Sequence, residues 1–131
     1  MGLDIQIKGL SREDTYHGSY MRFASYRMEV SKAFNKTLGE IYEKPFLTPN
    51  YEFTDYEIEQ WNKLCNDDLD IFLWHSDCDG KLTPKECKKI YDELKKLNVK
   101  DLFYSNKWTM QELWLNMLQY CYKHRVNMWF H

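Results

Sequence analysis

Two short alternating runs stand at opposite ends of this 131-residue chain, with helical patterning over most of the sequence between them. Near the start, Leu3, Ile5 and Ile7 alternate with Asp4, Gln6 and Lys8, and Gly9 ends the run. At the end, Val126, Met128 and Phe130 alternate with Asn127, Trp129 and His131. A period of two places successive side chains on opposite faces, so each run reads as a half-buried strand. Backbone N–H and C=O groups inside a fold need partners, and each run is the other's natural one. The ends are therefore expected to pair, Asp4 to Lys8 beside Asn127 to Phe130. The fold class this dictates is α+β: four to five helices packed on a small sheet formed by the N- and C-terminal strands.

Helix starts are well marked between the two runs. Ser19 can cap a helix from about Tyr20 to Leu38, closed by Gly39, with Phe23, Tyr26, Val30, Phe34 and Leu38 on one face. Three Thr-x-x-Glu capping boxes follow at Thr54–Glu57, Thr83–Glu86 and Thr109–Glu112, the second with its preferred proline, Pro84. The first box opens a short helix through Trp61 and Leu64. The second opens one from Pro84 to about Leu97, burying Cys87, Ile90, Tyr91, Leu94 and Leu97. The third carries Leu113, Met117, Tyr120 and Cys121 on its apolar face. Asn66-Asp67-Asp68 starts a further helix that carries Leu69, Phe72, Leu73 and Trp74 into the central loop. Ser11 to Gly18 reads as a polar turn and Lys44 to Phe53, with Pro45 and Pro49, as an irregular connection. Asn98 to Lys107 reads as a loop with room for one helical turn around Leu102. The recurring box is local capping, not an internal repeat, because the segments between differ in length and pattern.

The length suits a single domain, 1–131, with its own core. A net charge of −2 gives no field for nucleic acid, so none is expected as a partner. No apolar run is long enough to span a bilayer, so no membrane partner is expected either. Aromatics make up 17% of the chain, enough for a thick aromatic core, a stacking pocket or a self-association surface that leaves a homo-oligomer open. Cys65, Cys78, Cys87 and Cys121 show no paired spacing and read as reduced thiols of a cytoplasmic protein.

The densest polar chemistry lies in His75-Ser76-Asp77-Cys78-Asp79-Gly80-Lys81-Leu82-Thr83-Pro84-Lys85-Glu86. Asp79-Gly80 is a turn dipeptide, and the Thr83 box starts the next helix. The stretch resembles an EF-hand calcium loop, with Asp77 and Asp79 in the third and fifth places, Gly80 in the sixth and Glu86 in the last. His75 holds the first place, where the pattern has aspartate, and imidazole is a poor ligand for a hard cation. A metal set of Asp77, Asp79 and Glu86, with calcium as the cofactor, is therefore the alternative to no cofactor and a capped structural turn. A Cys/His or metal-dependent hydrolase built on His75 and Cys78 is a third reading, although neither His75 with Cys78 nor Cys121 with His124, each pair three apart, matches an established zinc pattern.

Arg27 falls on the apolar face of the first helix, between Phe23 and Val30. A guanidinium there must snorkel, find a carboxylate such as Asp77 or Asp79, or grip an anionic ligand by its planar fork. Tyr16, His17, Tyr20 and Arg22 lie close by in sequence and suggest a phosphate-and-ring site.

Met1-Gly2-Leu3-Asp4-Ile5, Ser19-Tyr20-x-x-Phe23-x-x-x-Arg27, and His75-Ser76-Asp77-Cys78-Asp79-Gly80 with Leu82-Thr83-Pro84 together resemble a family of small uncharacterised proteins of bacterial and bacteriophage genomes. The resemblance carries no activity with it. It implies a small cytoplasmic protein, in the host cytoplasm if phage-encoded, with a site at the central loop. The expectation from the chain as a whole is a non-enzymatic binding protein, borne by phage or a mobile element, in the manner of a sponge for a host defence signal. It is expected to hold a small anionic, nucleotide-like ligand between the 20–38 helix and the central loop, with Arg22 or Arg27 on its charge. Its expected site residues are Tyr20, Arg22, Arg27, His75, Ser76, Asp77 and Asp79.

Overall fold

In the computed structural model, which describes residues 2–131, the two chain ends meet as the alternation requires. Strand β1 (Gly2–Ile7) lies antiparallel to the C-terminal strand, Met128–Phe130, with Ile5 opposite Phe130, Gln6 opposite Trp129 and Ile7 opposite Met128. Two further short strands complete a four-stranded antiparallel sheet. They are β2 (His17–Ser19) beside β1, and β3 (Lys81–Leu82) beside the last strand, β4. Leu3, Ile5, Ile7, Leu82, Met128 and Phe130 face the core, while Asp4, Gln6, Lys81 and Trp129 face out. A register slip of one residue would reverse both sets, so the hydrophobic pattern fixes the pairing.

Among the described residues six α-helices pack on this sheet: α1 (Tyr20–Phe34), α2 (Lys36–Leu47), α3 (Asp55–Leu64), α4 (Asp67–Leu73), α5 (Pro84–Leu94) and α6 (Met110–His124). All three Thr-x-x-Glu boxes form with both of their reciprocal bonds. The single helix expected over 20–38 is instead two. Asn35 takes an extended backbone and its Oδ1 accepts from Leu38 N at 3.1 Å, which ends α1 and caps α2. Asn competes for backbone bonds in this way, and the apolar spacing through Leu38 conceals it. Gly39 is therefore not a C-cap. It sits inside α2, where a Cβ would lie 2.8 Å from Lys32 Cα on α1, so glycine here permits close approach of two helices.

Other boundaries shift for similar local reasons. The connection expected over 44–53 is helical as far as Leu47, with Pro45 in the last turn, where the missing N–H costs only one bond. Ser11 to Gly18 contains a 3-10 turn, Arg12–Asp14, and most of β2. Helix α5 stops at Leu94 rather than Leu97, and residues 98–107 form no helical turn. Helix α6 closes on Arg125 in the left-handed region (φ 56°), with Val126 N bonded back to Cys121 O.

Trp114 of α6 is fully buried at the centre of an aromatic core. Phe23 stacks on it at 5.0 Å, Phe72 meets it edge-on at 5.3 Å, and Tyr16, Tyr26 and Phe130 surround these. The aromatic richness of the sequence is thus spent largely inside. No helix among the described residues is long and apolar enough to cross a membrane.

Candidate functional site

The central loop is tied down by its own backbone. His75 lies between two carbonyls, with Nδ1 2.8 Å from Ser76 O and Nε2 3.0 Å from Lys81 O, and its ring packs 4.1 Å from that of Phe130. Gly80 supports this at φ 85°, with the edge of His75 close to where a side chain would begin. Ser76 Oγ accepts from Cys78 N. Glu86 Oε1 accepts from Thr83 N at 2.9 Å, closing the capping box on α5. Strand β3 then pairs Lys81 and Leu82 with β4. Every one of these bonds orders the turn; among the described residues, no three His, Cys, Asp or Glu side chains converge to hold a metal ion. Asp79 and Cys78 point into solvent, and Asp77 is half-buried.

Arg27 is 7% exposed and does not snorkel. It makes no ion pair with Asp77 or Asp79. Its Nη1 donates instead to the carbonyls of Phe72 (3.2 Å) and His75 (2.7 Å), and its guanidinium lies 4.2 Å from the Phe23 ring centre. Tyr42 OH donates to Leu73 O at 2.6 Å. Arg27 and Tyr42 together satisfy the carbonyls that α4 leaves open at its C-terminus, where a cation also suits the helix dipole. Burial pushes the Arg27 pKa down, against the fields of Tyr42 and Asp77, which raise it. Burial pushes Tyr42 up to about 12, so it stays a neutral donor. Arg27 therefore joins α1 to the entrance of the central loop, and its bonding is structural.

Arg22 has a different setting. One turn into α1 from the Ser19 cap, it reaches residues 103–104, where Nη2 donates to Phe103 O (2.6 Å) and Tyr104 O (2.9 Å). Its guanidinium lies over the Tyr104 ring at 5.0 Å. Tyr104 is itself held, its OH accepting from His17 N (2.9 Å) and donating to Thr15 O (3.0 Å). Around this pair lies an open groove of about 670 Å³, lined by Arg12, His17, Arg22, Tyr104, Ser105 and Lys107 among others. Three acids share the region. Asp4 holds His17 Nδ1 at 2.7 Å, a bond that lowers the Asp4 pKa. Asp14 holds Lys107 at 2.7 Å and is lowered by it in turn, and Glu13 stands 3.9 Å from the same lysine. Arg12 has no side-chain partner among the described residues, and Arg22 keeps the N–H groups on Nε and Nη1. These two are the groove's cations without a bonded carboxylate, although Arg12 lies close enough to Asp4 to help lower its pKa.

The expected site residues are thus divided. Arg22 lines the groove, and Tyr20 packs half-buried against the core beside it. Arg27, His75, Ser76 and Asp77 belong to the central loop and its anchor, and Asp79 stands exposed at the turn. Sequence reasoning missed Arg12, Tyr104 and Lys107, which lie in segments that read as polar turn and loop. No local signal joins them to Arg22, since the fold brings Tyr104 to it across more than half of the chain. Among the described residues the thiols of Cys65, Cys78 and Cys87 bond to Asn66 O, Ser76 Oγ and Leu82 O and to no histidine or carboxylate. Cys87 and Cys121 are fully buried together, and Cys87 is pushed up by its neighbour and by burial. His124 stacks on Tyr120 at 4.0 Å. No family model, no curated protein and no solved structure matches the chain.

Proposed function

We propose that this protein is a non-enzymatic binding protein for a small anionic, nucleotide-like ligand, taken up in the groove of Arg12, His17, Arg22, Tyr104 and Lys107. The observation that supports this reading is the fixed guanidinium of Arg22. Two carbonyls and the Tyr104 ring hold it at the groove, and its Nε and Nη1 have no hydrogen-bond partner among the described residues. A planar cation of this kind suits phosphate oxygens at its edge and a heteroaromatic ring on its open face. Arg12 adds the second charge that a phosphate needs, and Ser105 a polar side chain. For a protein borne by phage, as the sequence resemblance suggests, binding without turnover amounts to sequestering a nucleotide signal.

The test is calorimetric titration with AMP, ATP and cyclic mono- and dinucleotides. At least one should bind in the micromolar range or tighter, more weakly as salt rises. Arg22→Ala should cost about tenfold or more in affinity, and Arg22→Lys should not restore it, because lysine keeps the charge and loses the plane. No binding by any of these anions, or binding indifferent to Arg22→Ala, would defeat the reading.

A further inference from the structure

A second recess, of about 250 Å³, opens between α2, α3 and α4 and is almost wholly apolar inside. Its walls are Ile41, Phe53, Ile58, Trp61 and Trp74, with the Asp70 carboxylate at one side. The rings stand across one another: Phe53 is at 84° to Trp74 with centres 6.0 Å apart, and Trp61 at 65° with centres 5.3 Å apart. Trp74 is 46% exposed although Phe72 and Leu73 just before it are buried, and Ile58 is exposed as well. Large apolar side chains left open around a concavity mark a binding surface more often than a packing error.

Charge decides what such a surface takes. From Phe46 to Trp74 the chain carries seven carboxylates and one lysine. Glu57, buried at the recess, is committed to Lys44, Tyr51 and its own capping box. Asp70 is not so committed: Oδ1 accepts from Trp61 Nε1 at 2.7 Å, and the carboxylate faces both the aromatic recess and an adjoining polar one with Asp67 and Asn62. Aromatic faces carry the negative end of a quadrupole, so rings with a carboxylate beside them attract a cation. The walls are apolar, so the cation that loses least on entering is one with a hydrocarbon skin. A primary ammonium is more strongly hydrated and gives up more.

We infer that the recess of Phe53, Trp61, Trp74 and Asp70 is a binding site for an alkylated ammonium group, separate from the anion groove at Arg22. Trp61, tied to Asp70, and Trp74 form the faces on which the cation rests, and Ile58 covers its alkyl skin. The reading does not depend on the nucleotide proposal, since the two sites share no residue.

Choline and its neutral carbon isostere, 3,3-dimethyl-1-butanol, separate charge from shape. Indole N–H resonances of Trp61 and Trp74 followed by NMR should shift saturably with choline at millimolar concentrations, while that of the buried Trp114 stays in place. The isostere should bind about tenfold more weakly or less. Trp74→Ala and Asp70→Asn should each weaken choline by a similar factor. Trp74 is 46% exposed but packs on Tyr42, Phe53 and Trp61, so circular dichroism first checks that Trp74→Ala is folded, and Phe53→Leu serves as a milder second variant with the same expected direction. An acetylated trimethyllysine amide in a parallel titration tells a free small molecule from a partner's side chain, and tighter binding by either compound supports the site. Equal binding of choline and the isostere, choline binding unmoved by Trp74→Ala, or no saturable shift with either cation would overturn the inference.

Discussion

Replacing Arg27 by methionine keeps a long apolar stem in place and removes only the guanidinium, so the loss can be worked from the groups left behind. Two bonds from a charged donor disappear, to Phe72 O and His75 O. Carbonyls left dry and unpaired cost about 1–3 kcal/mol each. The contact with the Phe23 face adds about 0.5–2 kcal/mol. Against this stands relief of the guanidinium's own desolvation, which is the first cause of its lowered pKa, and of an Nε that has no partner. The balance is a destabilisation of about 2–4 kcal/mol. Urea unfolding followed by tryptophan fluorescence should then show a midpoint lower by about 1–2 M at unchanged slope. Arg27→Lys should fall between the two, since ammonium keeps the charge without the ring contact. Arg27→Met within about 0.5 kcal/mol of the parent would mean that the α4 carbonyls are not held by Arg27, and the structural account of the central loop would fail.

Three further outcomes follow from the same structure. Glu57 has its pKa held down to about 2 by Lys44 first, then by Thr54 N–H and Tyr51. A depressed carboxyl contributes stability that is complete above its ordinary value and lost as pH falls towards the folded one, so thermal stability should drop between about pH 5 and pH 2. Glu57→Gln should flatten that part of the profile, and an unchanged acid limb would refute the assignment. Helix propensity alone predicts that Gly39→Ala gains about 1 kcal/mol. The contact with the Lys32 backbone predicts a loss of about 1–3 kcal/mol instead, and chemical denaturation reads the sign. Calcium titrated calorimetrically should bind the central loop more weakly than the micromolar range, because His75 and Glu86 are occupied within it. Glu86→Ala should lower the melting temperature by removing the acceptor that caps α5, and tight calcium binding lost in Glu86→Gln would restore the EF-hand reading.

What the sequence made legible was set by local signals. Alternation at the two ends is a period-two pattern with one buried face, and it specified the pairing and which side chains face the core. The Thr54, Thr83 and Thr109 boxes are contacts within four residues, and all three formed. The division at Asn35 was hidden because Leu38 keeps the apolar spacing of α1, while the deciding bond is a side chain to a backbone N–H. Strands β2 and β3 are three and two residues long, too short for periodicity to register. Arg27 drew notice correctly as a charge on an apolar face, but its partners are carbonyls, which any residue type supplies and no composition betrays. At the groove, Arg22 was visible beside Tyr20 and His17. Tyr104 and Lys107 were not, because their proximity is a property of the loop after α5 folding back over β2.

In the proposed reading ligand charge is met at Arg22, while the bonds of Arg27 and the central loop are structural. The most direct measurement is a heteronuclear NMR spectrum of the arginine Nε–Hε groups during titration with AMP. A saturable shift is expected of the Arg22 resonance, assigned by its absence from the Arg22→Lys spectrum, with Arg27 and the Gly80 amide unmoved. A shift of Arg27 and Gly80 with Arg22 silent, or no saturable shift at either arginine, would contradict it.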